Sequence, residues 1–192
     1  SLLGSFDIGV FADAAKGRFK TLQEALAWAK ANPGKLNVGT IAVGSTQHLA
    51  AEWFKTAAAV DALVVPYKGS PAVLTALRAG EVDIAVEILG PMLPQLKAGV
   101  VRALAVTGAQ RSSSLPDVPT FTELGVPGLA FSNWFGFFAP AGTPPEVVQR
   151  LNRELNALMR SPDVVERLRQ LGADAVTGTP DGFAKVVRDE HD

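Results

Sequence analysis

The sequence predicts an α/β fold: a mostly parallel sheet flanked by helices. Two observations predict it. Short apolar runs of strand composition alternate with amphipathic segments, and those segments open on helix-cap signals. Strands separated by helices in this order imply right-handed βαβ units.

The first strand is expected over residues 6–12, "FDIGVFA". Thr21-Leu22-Gln23-Glu24 is a capping box, with Leu22, Ala25, Leu26 and Ala29 behind it at helical spacing and Asn32-Pro33-Gly34 as the stop. A strand at 36–40 leads into a helix from Thr46, with Leu49, Ala50, Trp53 and Phe54 on one face. A strand at 62–65 precedes "PYKGSP", where Ser70 is the expected N-cap and Pro71 the first helical residue, and this helix ends near Gly80. Strand 82–88, a short helix at 92–97 and strand 101–107 complete the alternation.

The rhythm then breaks. Residues 110–128 are polar and proline-rich, with a short helix expected at 120–124, and residues 129–139 are long and aromatic. "TPPE" at 143–146 is a second capping box, opening a helix to about Arg160. Ser161-Pro162 opens another, closed by Gly172, and Thr179-Pro180 opens the last. The C-terminal part holds one weak strand, at 174–177, which cannot form a sheet by itself. We therefore place a boundary near residues 132–140: residues 1–131 form an α/β lobe, and residues 132–192 are helix-rich and need something else to pack on. Trp134, Phe135, Phe137 and Phe138 are expected to pack in the core or at the hinge.

Composition excludes several function classes. The 192 residues carry a net charge of −1, whereas a nucleic-acid-binding domain carries a basic excess. No apolar run approaches the roughly 20 residues that span a bilayer, and no basic amphipathic face suits a membrane surface. With no cysteine, the chain has no disulfide, thiolate metal site or cysteine nucleophile.

In a parallel α/β sheet, ligands bind beyond the carboxyl ends of the strands. The most site-like stretch there is "VGTIAVGSTQH", residues 38–48. Gly44 allows close backbone approach, and the free N–H groups of a first helical turn favour a carboxylate or phosphate. Ser45, Thr46 and His48 add side-chain donors. The same pattern also serves an ordinary N-cap and turn. The glycines form neither a P-loop nor a dinucleotide fingerprint.

Lys68 complements an anion at this edge or is merely solvated. Glu87 contacts a ligand hydroxyl or amine, or turns to water as an edge residue. Ser45 and His48 lie within one helical turn, a spacing that does not by itself supply triad geometry, and the second histidine, His191, falls at the C-terminus. No histidine spacing suggests a metal site. We expect no enzyme activity and no cofactor.

Four blocks in order, "KTLQEALAWAKANPGKLNVGT…GSTQHLAAEWF", "VPYKGSPAVLTALRAGEVD", "LKAGVVRALAVTGAQRSSSLPDVPTFTELGVPG" and "NWFGFFAPAGTPPEVVQRLNRELN", closely resemble the Bug-type (TctC-like) extracytoplasmic solute receptors of tripartite tricarboxylate transporters. The resemblance runs from Thr21 to the C-terminus. It implies a type II periplasmic-binding-protein fold of two domains that close on a small organic carboxylate in the periplasm. It implies delivery to the large and small membrane subunits of the permease, without metal or covalent chemistry.

The family's ligand loop of the second domain maps onto residues 41–48, Ala42 and Val43 included, with Gly44, Ser45, Thr46 and His48 matching residue by residue and Ala42 standing where the family often has glycine. The family's first strand, its Gly-rich loop and much of its first domain have no counterpart here. A cytoplasmic effector-binding or signalling module with the same fold is the alternative, and fold alone does not separate the two.

Overall fold

The computed structural model describes residues 1–191, and the side chain of His191 lies outside the described part. In chain order, β1 (Leu2–Phe6), β2 (Ile8–Asp13), α1 (Leu22–Ala31), β3 (Leu36–Ile41), α2 (Thr46–Ala57) and β4 (Ala62–Tyr67) come first. Then follow α3 (Ser70–Ala79), β5 (Ile84–Ile88), α4 (Leu89–Lys97), β6 (Val101–Val106) and β7 (Asn133–Gly136). The chain ends with α5 (Pro145–Met159), α6 (Pro162–Gln170), β8 (Ala173–Ala175) and α7 (Pro180–His191). These elements form two compact units: Asp7–Ser132, and Ser1–Phe6 together with Asn133–Asp192.

The first unit is built on a five-stranded sheet of order β4-β3-β5-β2-β6. Strand β3 pairs in parallel with β4 and β5, while β2 runs antiparallel to both β5 and β6. Four strands thus point one way and β2 opposes them. Both faces are covered. Ile8, Val10, Val38, Ile84 and Val86 pack with Leu22, Ala25, Ala51 and Phe54 of α1 and α2. Phe11, Ala85 and Val106 pack with Val73, Leu77, Leu89 and Met92 of α3 and α4. Each such large apolar side chain contributes about 1.5–3 kcal/mol on burial.

Several local expectations need correction. Residues 6–12 are not one strand. The extended chain breaks at Asp7, whose carboxylate accepts the Ser132 hydroxyl at 2.6 Å, and β1 joins the other unit rather than the lobe at 1–131. Helix α4 starts at Leu89, earlier than expected, and runs through Pro94. Residues 120–124 form turns rather than a helix. They are held by a capping-box pair in which Glu123 N–H donates to the Thr120 hydroxyl (3.2 Å) and Thr120 N–H donates to the Glu123 carboxylate (2.7 Å). A 3₁₀ turn at Pro127–Leu129 takes up part of the expected aromatic strand, which shortens to β7.

The second unit contains an antiparallel sheet of order β7-β1-β8. The C-terminal segment therefore does not stand on one weak strand, because β1 supplies the centre and pairs with β7 and β8 on its two sides. A Cβ on Gly4 would lie 2.3 Å from the Phe135 ring, so the close packing of these strands requires glycine there. Trp134 packs edge-on against buried Phe183 at 5.1 Å.

Phe137 and Phe138, expected as packing residues, are 61% and 68% exposed, and Leu151, Leu158, Val165 and Leu171 of the helical segment are open as well. Helix α5 is capped by Pro144 without a side-chain bond. Thr143 cannot act as the expected capping-box residue because its hydroxyl donates instead to the Pro140 carbonyl at 2.8 Å.

Candidate functional site: the carboxyl edge of three parallel strands

Adjacent strands β4, β3 and β5 run parallel and release their loops at one edge of the sheet. Beyond β3 the chain turns through exposed Ala42, Val43 and Gly44, closed by Ser45 N–H donating to the Ala42 carbonyl at 3.1 Å. Gly44 adopts φ +82°, and a Cβ there would meet nothing within 4 Å. Glycine is thus required by the backbone and not by crowding.

Ser45 is the N-cap of α2, its hydroxyl accepting from His48 N–H at 3.1 Å. The N–H groups of Thr46 and Gln47 belong to the first turn, which has no intrahelical acceptor, at the positive end of a 12-residue helix. The Ser45 hydroxyl proton remains available to donate even while its oxygen caps. Ser45 therefore has room for both roles that the sequence left open.

His48 contributes to the cap through its backbone, and the Ser45 hydroxyl meets that N–H rather than the imidazole. No Ser–His couple for nucleophilic attack is formed. The His48 Nδ1 is buried without a hydrogen-bond partner, as are Thr40 Oγ1 near the end of β3 and Glu87 Oε1 near the end of β5. Buried polar atoms are nearly always paired, so three unpaired ones at the same sheet edge mark a place built for something additional.

Glu87 is completely buried, so its reading as a solvated edge residue is wrong. Its Oε2 accepts from Gln47 Nε2 at 3.3 Å and from Ile88 N–H at 3.1 Å, and the Ser70 side chain lies close enough to favour the ionised carboxyl. Burial raises its pKa above the ordinary glutamate value, against the lowering effect of those three neighbours.

Gln47, in turn, accepts from the Thr46 hydroxyl at 2.8 Å. Sequence reasoning missed Gln47. Its signal was its place at helical spacing with Ala50, Ala51 and Phe54, which puts an amide on the buried face of α2. Ser70 also departs from expectation. Gly69 at φ +89° is the N-cap of α3, without a side-chain bond, and Ser70 is the first helical residue. Lys68 is exposed just past β4.

A crevice of 180 Å³ lined by Ser70, Pro71, Leu74, Pro91, Met92 and Gln95 opens between the first turns of α3 and α4. A larger cavity of 250 Å³ lies at the opposite sheet edge, beside Asp13, Arg18, Arg78 and Asp83. There Arg18 stacks on Trp28 at 4.3 Å and Asp83 accepts from Asn37 N–H at 2.9 Å. Among the described residues, no group of His, Cys, Asp and Glu is placed to hold a metal ion, and no helix is long and apolar enough to cross a membrane.

The family model described as "Tripartite tricarboxylate transporter family receptor" matches residues 4–192. The chain belongs to this receptor family. A protein of the tcbD-tcbE intergenic region of Pseudomonas sp. (strain P51) is 41% identical over 92% of this chain and 53% of its own length. Protein BugT of Bordetella pertussis (strain Tohama I) is 37% identical over 91% of this chain and 54% of its own. The chain thus spans about half the length of these curated relatives.

Among solved structures, R. palustris Rpa4515 with adipate superposes with a TM-score of 0.84 at 35% identity, covering 98% of this chain and 63% of that one. MatC (Rpa3494) from Rhodopseudomonas palustris with bound malate gives 0.78 at 30% identity, covering 98% and 65%. The chain has an α/β fold of sheets flanked by helices that matches part of the fold of these periplasmic receptors, as the sequence led us to expect.

Proposed function

We propose that the chain carries one half of the ligand clamp of an extracytoplasmic solute receptor. It captures a small organic carboxylate in the periplasm and delivers it to the large and small membrane subunits of a tripartite tricarboxylate-type permease. The carboxylate rests at the mouth of α2, on the first-turn N–H groups and the Ser45 hydroxyl, with the Thr46 hydroxyl turning from Gln47 to join them and Ala42, Val43 and Gly44 forming the rim. His48 and Lys68 supply further donors at the same edge. No bond is made or broken: capture relies on hydrogen bonds and the helix dipole, as suits a ligand that must leave again.

The observation that carries this reading is the set of unpartnered buried polar atoms at Thr40, His48 and Glu87, beside an open glycine turn at a helix N-terminus. Relatives solved with adipate and with malate support the carboxylate class. The test is a thermal-shift screen of organic acids on the full-length protein. A carboxylate at a hundredfold excess over its dissociation constant raises stability by about 2.7 kcal/mol. A screen in which adipate, malate and related acids leave the melting temperature unmoved overturns the proposal.

A further inference from the structure

Glu87 is fully buried, and its hydrogen bonds fall on Oε2 alone. What it does touch is informative. Its carboxyl accepts from Gln47 in the first turn of α2 and lies beside Ser70 in the first turn of α3, while Glu87 itself is the penultimate residue of β5. One buried side chain thus ties together the two helix mouths that flank the candidate site.

We propose that Glu87 is a positioning residue which, in its uncharged form, braces the first turns of α2 and α3 so that their N–H groups converge on an anion. This deepens the carboxylate reading and rests on it. A carboxylate ion with one oxygen buried and unpartnered is costly, and a negative charge beneath the anion site repels the ligand. A proton on the free oxygen relieves both.

The surroundings fit an uncharged group. Facing Glu87 are Gly9 across the ladder on β2, Gln47 from α2, Ser70 from α3 and the Ile88 N–H. The titratable groups at this edge are Asp7 before β2, His48 on α2, Tyr67 at the end of β4 and Lys68 before α3; Asp7 is engaged by the Ser132 hydroxyl and Tyr67 donates to Glu81. Burial holds the Glu87 pKa above its ordinary value, in agreement with this arrangement.

The consequence is proton-linked binding. Affinity for a fully ionised carboxylate is high while Glu87 is protonated and falls as pH rises through its raised pKa. Adipate is the probe, titrated calorimetrically against the full-length protein and its Glu87→Gln variant over the whole pH range in which both stay folded, with adipate's own ionisation subtracted. Glutamine keeps the shape and the acceptor but cannot ionise.

The expected result is an affinity that drops about tenfold or more across this range in the wild type, with that drop absent in Glu87→Gln. A second readout needs no ligand: the amide resonances of Gln47 and Ser70 shift together with pH in the wild type and not in the variant. Adipate binding with the same pH profile in both proteins, or Gln47 and Ser70 amides that ignore pH, overturns the proposal. Failure of every carboxylate to bind while both amides titrate as expected upholds the brace and strikes the carboxylate reading alone.

Discussion

At the scale of single residues, the helix mouth makes separable demands. Ser45→Ala removes the cap of His48 N–H and is expected to lower stability by about 0.5–2 kcal/mol, measured by urea unfolding. Ser45→Ala combined with Thr46→Ala in the full-length receptor is expected to weaken carboxylate binding by about 1–3 kcal/mol, the cost of hydrogen bonds lost to a charged group. Stability lost with affinity unchanged would assign both hydroxyls to capping alone. Gly44→Ala tests the turn itself: with open space around the Cβ position, only the left-handed backbone resists, at a cost of about 1 kcal/mol. The cap and the glycine turn were legible in the sequence because both are local. Gln47 and Glu87 were not read correctly, because their roles depend on a contact between residues 40 positions apart.

At the scale of elements, the meeting of α2, α3 and β5 makes stability depend on pH. A carboxyl whose folded pKa lies above its unfolded value contributes stability that is fully present below the ordinary carboxylate range. That contribution is lost as pH rises through the raised folded value. The melting temperature of the wild type is therefore expected to decline through this window relative to Glu87→Gln, and parallel curves would contradict the burial argument. The elements themselves were largely legible, since strand and helix periods differ and cap residues punctuate them. Strand β2 was the exception in direction: apolar composition does not reveal that it runs against β5 and β6. The start of α3 also escaped, because a serine before a proline looks like a cap while the glycine at φ +89° one residue earlier takes that place.

At the scale of the whole molecule, the chain leaves the small sheet after β1, builds the entire five-stranded lobe, and returns at β7. Deleting residues 1–6 removes the central strand between β7 and β8. Amide exchange is then expected to accelerate across 133–191 while the sheet of Asp7–Ser132 keeps its protection. Uniform loss in both would show that the two units unfold as one. Sequence pattern shows a change in composition near residue 132. It could not reveal the departure at Asp7, since one apolar stretch feeds both sheets without a turn signal.

The Ser132–Asp7 hydrogen bond brings the first and last residues of the lobe to within 2.6 Å of each other through their side chains. A segment whose two ends meet behaves as an insert, transferable between hosts in the way a cassette is. Residues 7–132, spliced into a surface loop of a fluorescent protein with short linkers, are expected to keep their five-stranded sheet, which amide exchange on the fusion would check. The lobe at Asp7–Ser132 thereby lends itself to transfer as one piece.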